Sequence, residues 1–127
     1  LLKILIVEDS APFRQMLREN LHDRFRSMTV EEASDRAEAI QKIDSFSPDL
    51  IFMDIRLPGG SGLELTKKIK GQCPQIKIII LTSYDLPEYR ESAQKYGADD
   101  FLVKGSSTWE EIATIVQSIA SDLRQST

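Results

Sequence analysis

The 127 residues are enough for one domain with a single sizeable core, and 41% hydrophobic against 28% charged residues is the balance of an ordinary globular protein. A formal net charge of -4 gives no global electrostatic attraction to nucleic acid, and no apolar run nears the roughly 20 residues that span a bilayer. Cys73 and His22 are each the sole residue of their type, which excludes an intramolecular disulfide and a metal centre built from cysteines or histidines.

The start, Leu1-Leu2-Lys3, lacks the layout of a signal peptide and has no initiating Met, so a domain cut from a longer chain and a cytoplasmic location are the expectations. Lys3 to Val7 is an apolar run that leads into Glu8-Asp9. Ser10 then suits an N-cap, Pro12 is tolerated in a first turn, and Phe13, Met16, Leu17 and Leu21 recur at helical spacing. Met28 to Ala33 is a more polar strand, as expected at a sheet edge. Ala37, Ile40 and Ile43 mark a second helix, which Ser47-Pro48 ends.

Leu50 to Met53 is a third apolar run, leading into Asp54. The loop signal Leu57-Pro58-Gly59-Gly60-Ser61-Gly62 follows, and Ser61 with Glu64 has the spacing of a capping box opening a third helix. Cys73-Pro74 closes that helix before Ile76 to Leu81, a strand that runs into Thr82-Ser83. Asp85 to Tyr96 reads as a helix stopped by Gly97, and Asp100 to Val103 as a fifth strand running into Lys104. Ser107 and Glu110 have capping-box spacing before a last helix with Ile112, Ile115, Val116, Ile119 and Leu123 on one face and the polar end Asp122 to Thr127.

Five strands and five helices in strict alternation predict an α/β fold, a doubly wound parallel sheet of flavodoxin-like order 2-1-3-4-5. Ligands of such sheets bind beyond the carboxyl ends of the strands, where Glu8, Asp9, Asp54, Thr82 and Lys104 would then gather. Glu8 and Asp9 can open a solvated loop or hold magnesium, which takes oxygen ligands and keeps several waters. Asp54 ends a strand with almost no polar residue before it; a carboxylate there needs a cation or a partner, and as a nucleophile it would attack phosphorus to give an aspartyl phosphate. Lys104 is the natural counter-ion, with a snorkelling surface lysine as the alternative, and Thr82 is either a strand-end threonine or a hydroxyl donor to a phosphoryl oxygen.

This set resembles the receiver domain of two-component response regulators over nearly the whole chain. The resemblance is carried by Ile6-Val7-Glu8-Asp9, Ile51-Phe52-Met53-Asp54, Leu57-Pro58-Gly59, Gly62-Leu63-Glu64-Leu65, Ile80-Leu81-Thr82-Ser83, Gly97-Ala98-Asp99 and Phe101-Leu102-Val103-Lys104. It implies a single receiver domain over 1-127, with Asp54 as phosphoacceptor and magnesium held by Asp9, Asp54 and the backbone carbonyl of Arg56, Glu8 acting mainly through water. It also implies that Thr82 and Lys104 bind the phosphoryl group, and that Thr82 and Phe101 form the switch acting on the surface of the fourth helix, fifth strand and fifth helix. Such a domain is not an enzyme in its own right, though it has modest self-catalysed phosphotransfer and dephosphorylation. Its implied partners are a histidine kinase or histidine phosphotransfer protein, and an output domain or partner protein, with no direct nucleic-acid or membrane binding.

Three departures from the family pattern stand out. Phe101 replaces the more usual tyrosine, Gly105 follows Lys104 where many relatives have proline, and Arg56 can overhang the phosphoryl site or point outward. A cis bond before a residue other than proline costs about 2.5–4 kcal/mol, so Lys104-Gly105 is expected to be trans or the loop rearranged. Leu86, Pro87, Tyr89 and Tyr96 could form a partner or homodimer surface, or be scattered surface apolars. The competing readings are a pseudo-receiver that binds partners without taking phosphate, and a phosphatase or flavin protein of similar architecture. The latter two would need an Asp-x-Asp motif or a hydroxyl- and glycine-rich loop after the first strand, and Glu8-Asp9-Ser10-Ala11-Pro12 is neither.

Overall fold

Alternation of apolar side chains along the strands sets up a three-layer molecule. In the computed structural model, which describes residues 1–125, the strands are β1 (Leu2–Val7), β2 (Met28–Ala33), β3 (Leu50–Met53), β4 (Arg56–Leu57), β5 (Gly60–Ser61), β6 (Lys77–Thr82) and β7 (Asp100–Val103). The helices are α1 (Ala11–Arg24), α2 (Arg36–Phe46), α3 (Gly62–Gln72), α4 (Pro87–Lys95) and α5 (Trp109–Gln125). Five strands form one parallel sheet in the order β2-β1-β3-β6-β7, the expected doubly wound order once the short β4–β5 hairpin is left out. On one face, Leu5, Val7, Ile51, Met53, Ile78 and Ile80 pack with Ala39, Leu65, Ile69 and Ala93 of α2, α3 and α4. On the other, Ile4, Ile6, Phe52, Ile79 and Leu81 pack with Leu17 and Leu21 of α1 and Ile112, Val116 and Ile119 of α5. Period-two burial therefore puts helices on both faces and leaves the strand ends for chemistry.

Register brings those ends level. Val7 pairs with Met53, Met53 with Ile80, and Thr82 with Val103. The amide of Asp54 donates to the Val7 carbonyl at 3.0 Å, and that of Lys104 to the Thr82 carbonyl at 2.8 Å.

Several local expectations shift. The glycine-rich loop contains an antiparallel hairpin pairing Arg56 with Ser61 and Leu57 with Gly60; strands of two residues are too short to leave a periodic signal. Ser61 caps α3 through the amide of Leu63, while Glu64 remains exposed. The capping box before α5 belongs to Thr108 and Glu111, whose side chains take each other's amides, and not to Ser107 and Glu110. Ser107 instead accepts the Val103 amide. Helix α4 begins at Pro87, not Asp85, because proline supplies the helical φ at the first position and the Asp85 carboxylate is held 2.5 Å from Arg90 Nε. In α2 the buried alanine is Ala39, and Ala37 faces solvent. Of the polar end, Ser126 and Thr127 lie outside the described residues.

At the opposite edge of the sheet, Gly97-Ala98-Asp99 acts as a latch. The Asp99 carboxylate accepts the Ile78 amide at 2.9 Å, its own amide donates to the Ile78 carbonyl, and Lys70 of α3 pairs with it at 2.8 Å. Replacing Asp99 by Ala removes the carboxylate that the Ile78 amide and Lys70 bind, while the backbone bond to the Ile78 carbonyl stays, and is expected to cost about 1–3 kcal/mol, read as a lowered urea midpoint at unchanged slope.

Candidate functional site

The acids at the ends of β1 and β3 are unequally exposed. Glu8 is 3% and Asp54 7% exposed, whereas Asp9 faces solvent. One carboxylate oxygen from each of the three lies within 4.8 Å of the others, an all-oxygen donor set of the kind a hard divalent cation takes. Asp54 is fixed at both oxygens: Oδ1 accepts the Ile55 amide at 2.7 Å and Oδ2 accepts from Lys104 Nζ at 3.1 Å. Lys104 also donates to Glu8 Oε1, and the Ser10 amide donates to Glu8 Oε2 at 3.0 Å.

One ammonium thus serves two buried carboxylates, and the balance shows in the proton affinities of Glu8 and Lys104. Burial, supported by the neighbouring charge of Asp54, pushes Glu8 up to about 7 against the pull of Lys104 and the Ser10 amide. Burial alone would lower Lys104, but its bond to Glu8 and the charges of Asp54 and Glu8 hold it above its usual value.

The local chain geometry exists to present these groups. Arg14 of α1 donates to the Glu8 carbonyl at 2.7 Å and is itself held by Glu32 of β2 at 2.9 Å, so the turn carrying Glu8 and Asp9 is tied to the edge strand. The amide of Gly62 donates to the Ile55 carbonyl at 2.7 Å, and a Cβ at position 62 would come within 1.8 Å of the Asp54 carbonyl oxygen. Only glycine lets α3 start this close to Asp54. Thr82 is fully buried at the end of β6, and its hydroxyl accepts the Tyr84 amide at 3.3 Å.

Arg56 points outward, one of the two expected placements. Its guanidinium lies 3.9 Å from the centroid of the Tyr84 ring, and Nη2 donates to the Tyr89 hydroxyl at 3.4 Å. Arg56 and Asp9 line an open cleft of about 430 Å3 with Tyr89. Phe101 is half-buried beneath Arg90, whose guanidinium lies 4.7 Å over the ring. No cis peptide occurs among the described residues, and Gly105 adopts φ +84, a conformation closed to proline. The Lys104-Gly105 bond is thus trans, one of the two expectations.

Of the residues singled out from the sequence, Glu8, Asp9, Asp54 and Lys104 converge directly, and Thr82 shares their edge of the sheet. Phe101 lies farther along β7, against α4. Five residues' contributions escaped the sequence reading: Arg14, Gly62 as a steric requirement, Tyr84 and Tyr89 as holders of Arg56, and Phe13, whose ring lies 4.4 Å below Lys104 Nζ. Phe13 shares a helical face with Leu17 and Leu21, which signals core and nothing more.

A family model of the response regulator receiver domain matches residues 4–117. The chain belongs to the response-regulator receiver family. It is 34% identical over 111 residues to the response regulator MprA of Mycobacterium tuberculosis, covering 87% of this chain and 47% of that protein, so it spans about half the length of that relative. It is 36% identical over 102 residues to the chemotaxis protein CheY of Halobacterium salinarum, covering 80% of this chain and 83% of that one. The solved response regulator TrrA of Thermotoga maritima, in complex with magnesium and beryllofluoride, superposes with a TM-score of 0.82 at 33% identity, covering 94% of this chain and 99% of that one. Receiver domains are regulatory parts of two-component systems, working with histidine kinases and output domains. No helix among the described residues is long and apolar enough to cross a membrane.

Two outcomes follow. Gly62→Ala forces α3 and the Asp54 carbonyl apart, with an expected loss of about 1–3 kcal/mol and a displaced Ile55 amide resonance. In metal-free protein, Glu8 has a folded-state value near 7, above its ordinary 4.5. Its stabilising contribution is therefore complete below about 4.5 and lost as pH rises through 7. Between pH 5 and 8 in chelator, the receiver domain should lose about 1–3 kcal/mol relative to Glu8→Gln, and parallel denaturation curves would exclude this.

Proposed function

We propose that this receiver domain is a phosphorylation-controlled switch in which Asp54 accepts a phosphoryl group from a histidine kinase or histidine phosphotransfer protein. The observation that carries this reading is the convergence of Glu8, Asp9 and the Lys104 ammonium on Asp54. The carboxylate oxygen of Asp54 forms the new bond to phosphorus as the donor's phosphorus–nitrogen bond breaks, the pair leaving with the imidazole. Magnesium fits the donor set, with Asp9, Asp54 and the Arg56 carbonyl as ligands and Glu8 acting through water, and when bound it would neutralise charge on the phosphoryl oxygens.

The chain's own groups do the rest. Lys104 neutralises charge on the phosphoryl group, and the short tether from Asp54 Oδ1 to the Ile55 amide fixes the carboxylate plane. Thr82 accepts from the Tyr84 amide and so keeps its hydroxyl proton to donate to a phosphoryl oxygen. Its inward movement makes room for Phe101, which must leave the Arg90 guanidinium to follow. The surface of α4, β7 and α5 then changes and is read by an output domain, a partner protein or a second copy of the chain. Leu86 and Pro87 are exposed for such contact, whereas Tyr89 is engaged by Arg56 and Tyr96 by Lys67. Residues 1–127 act as one receiver domain in this scheme, with modest self-catalysed phosphotransfer and dephosphorylation, in the cytoplasm.

Incubation with acetyl phosphate and magnesium should add one phosphoryl mass, an addition that does not occur when chelator replaces magnesium or in Asp54→Asn. Mass gain persisting in Asp54→Asn would overturn the choice of nucleophile. No response from the unchanged protein to acetyl phosphate or beryllofluoride would instead make it a pseudo-receiver, a binding module outside phosphoryl control.

A further inference from the structure

Lys104 has a third neighbour that the phosphoryl chemistry does not use. Its ammonium lies 4.4 Å from the centroid of the Phe13 ring, on α1, while bonded to Glu8 and Asp54. Phe13 in turn stacks on Trp109 at the start of α5, with centroids 6.3 Å apart and planes 29° apart. The cation sits well inside the roughly 6 Å range of attraction to an aromatic face, and with the Lys104 side chain only 15% exposed the contact is partly shielded from water.

The backbone around Lys104 offers its side chain little direction. Gly105 follows at φ +84, and the amides of Ser106 and Ser107 both return to the Val103 carbonyl. These bonds fold the turn without holding the lysine's long, flexible side chain. The two carboxylates restrain it in the metal-free protein, but they are the groups that phosphoryl transfer and cation binding engage. The ring of Phe13 is uncharged and is backed by Trp109, so its hold on the ammonium persists when those oxygens are engaged.

We propose that Phe13 is a positioning residue that keeps Lys104 aimed at Asp54, with Trp109 as its support. This rests on the reading of Lys104 as the phosphoryl counter-ion. Three measurements on the full chain test it, comparing the unchanged protein with Phe13→Leu, which keeps apolar bulk without a π face, and Phe13→Tyr, which restores one. The first is magnesium binding alone by calorimetry, the second beryllofluoride binding in saturating magnesium, and the third the carbon–proton resonance of the Lys104 Cε methylene.

In Phe13→Leu, beryllofluoride affinity should fall about 5- to 10-fold while magnesium binds no more weakly. The Lys104 methylene, shifted upfield by the ring in the unchanged protein, should move back downfield in Phe13→Leu and return in Phe13→Tyr. The inference is overturned if Phe13→Leu binds beryllofluoride as the unchanged protein does. It is equally overturned if the Lys104 resonance does not respond, or if both affinities fall together without rescue by Phe13→Tyr. Should the unchanged protein bind no beryllofluoride, the phosphoryl reading fails by itself. The Lys104 resonance then decides the positioning role alone: a shift lost in Phe13→Leu supports it, and an unaltered resonance overturns it.

Discussion

Two carboxylates buried at the ends of adjoining strands share a single ammonium, and most of the structure serves that arrangement. A buried carboxylate without a counter-charge is costly, and two with one lysine leave a surplus of negative charge. Burial, with the charge of Asp54 beside it, raises the proton affinity of Glu8, and the surplus leaves a place where a cation is welcome beside exposed Asp9. The sheet supplies the burial, register supplies the proximity, and Gly62 supplies the clearance that lets α3 begin against Asp54. Remove any of these and the acids would separate or hydrate, which would relieve the tension that makes the site receptive.

From that centre two connections lead toward α4, and both use arginine on an aromatic ring. Arg56, two residues beyond Asp54, is held by Tyr84 and Tyr89, so the loop carrying the site touches the loop after β6 and the first turns of α4. Arg90 of α4 covers Phe101 of β7. These contacts are individually modest and exposed on one side. Weak restraints of that kind suit the rearrangement proposed for this surface.

Much of the fold was legible because parallel strands buried on both faces are continuous apolar runs, and Ile4 to Val7, Leu50 to Met53 and Ile78 to Leu81 are such runs. The acids, Thr82 and Lys104 were legible for the complementary reason: they are abrupt polar endings to apolar segments. What stayed hidden depends on contacts between distant residues. Phe13 beside Lys104, Arg14 on the Glu8 carbonyl and Arg56 on its two tyrosines follow from how helices pack on the sheet, which no local pattern encodes. Gly62 was visible as a glycine, but the clash that a Cβ there would make with the Asp54 carbonyl oxygen, at 1.8 Å, was not. The capping box before α5 was misplaced by one residue because Ser107 and Thr108 are equally competent caps, and the Val103 amide claims the serine.

Trp109 is the chain's one tryptophan, and its indole leans on the ring that in turn faces Lys104. The protein therefore carries an unlabelled optical gauge three contacts from Asp54, by way of Phe13 and Lys104. Emission from a single indole can be followed in real time and at low concentration. Its stacking on Phe13 thus places an intrinsic emission probe directly behind the aromatic contact to Lys104.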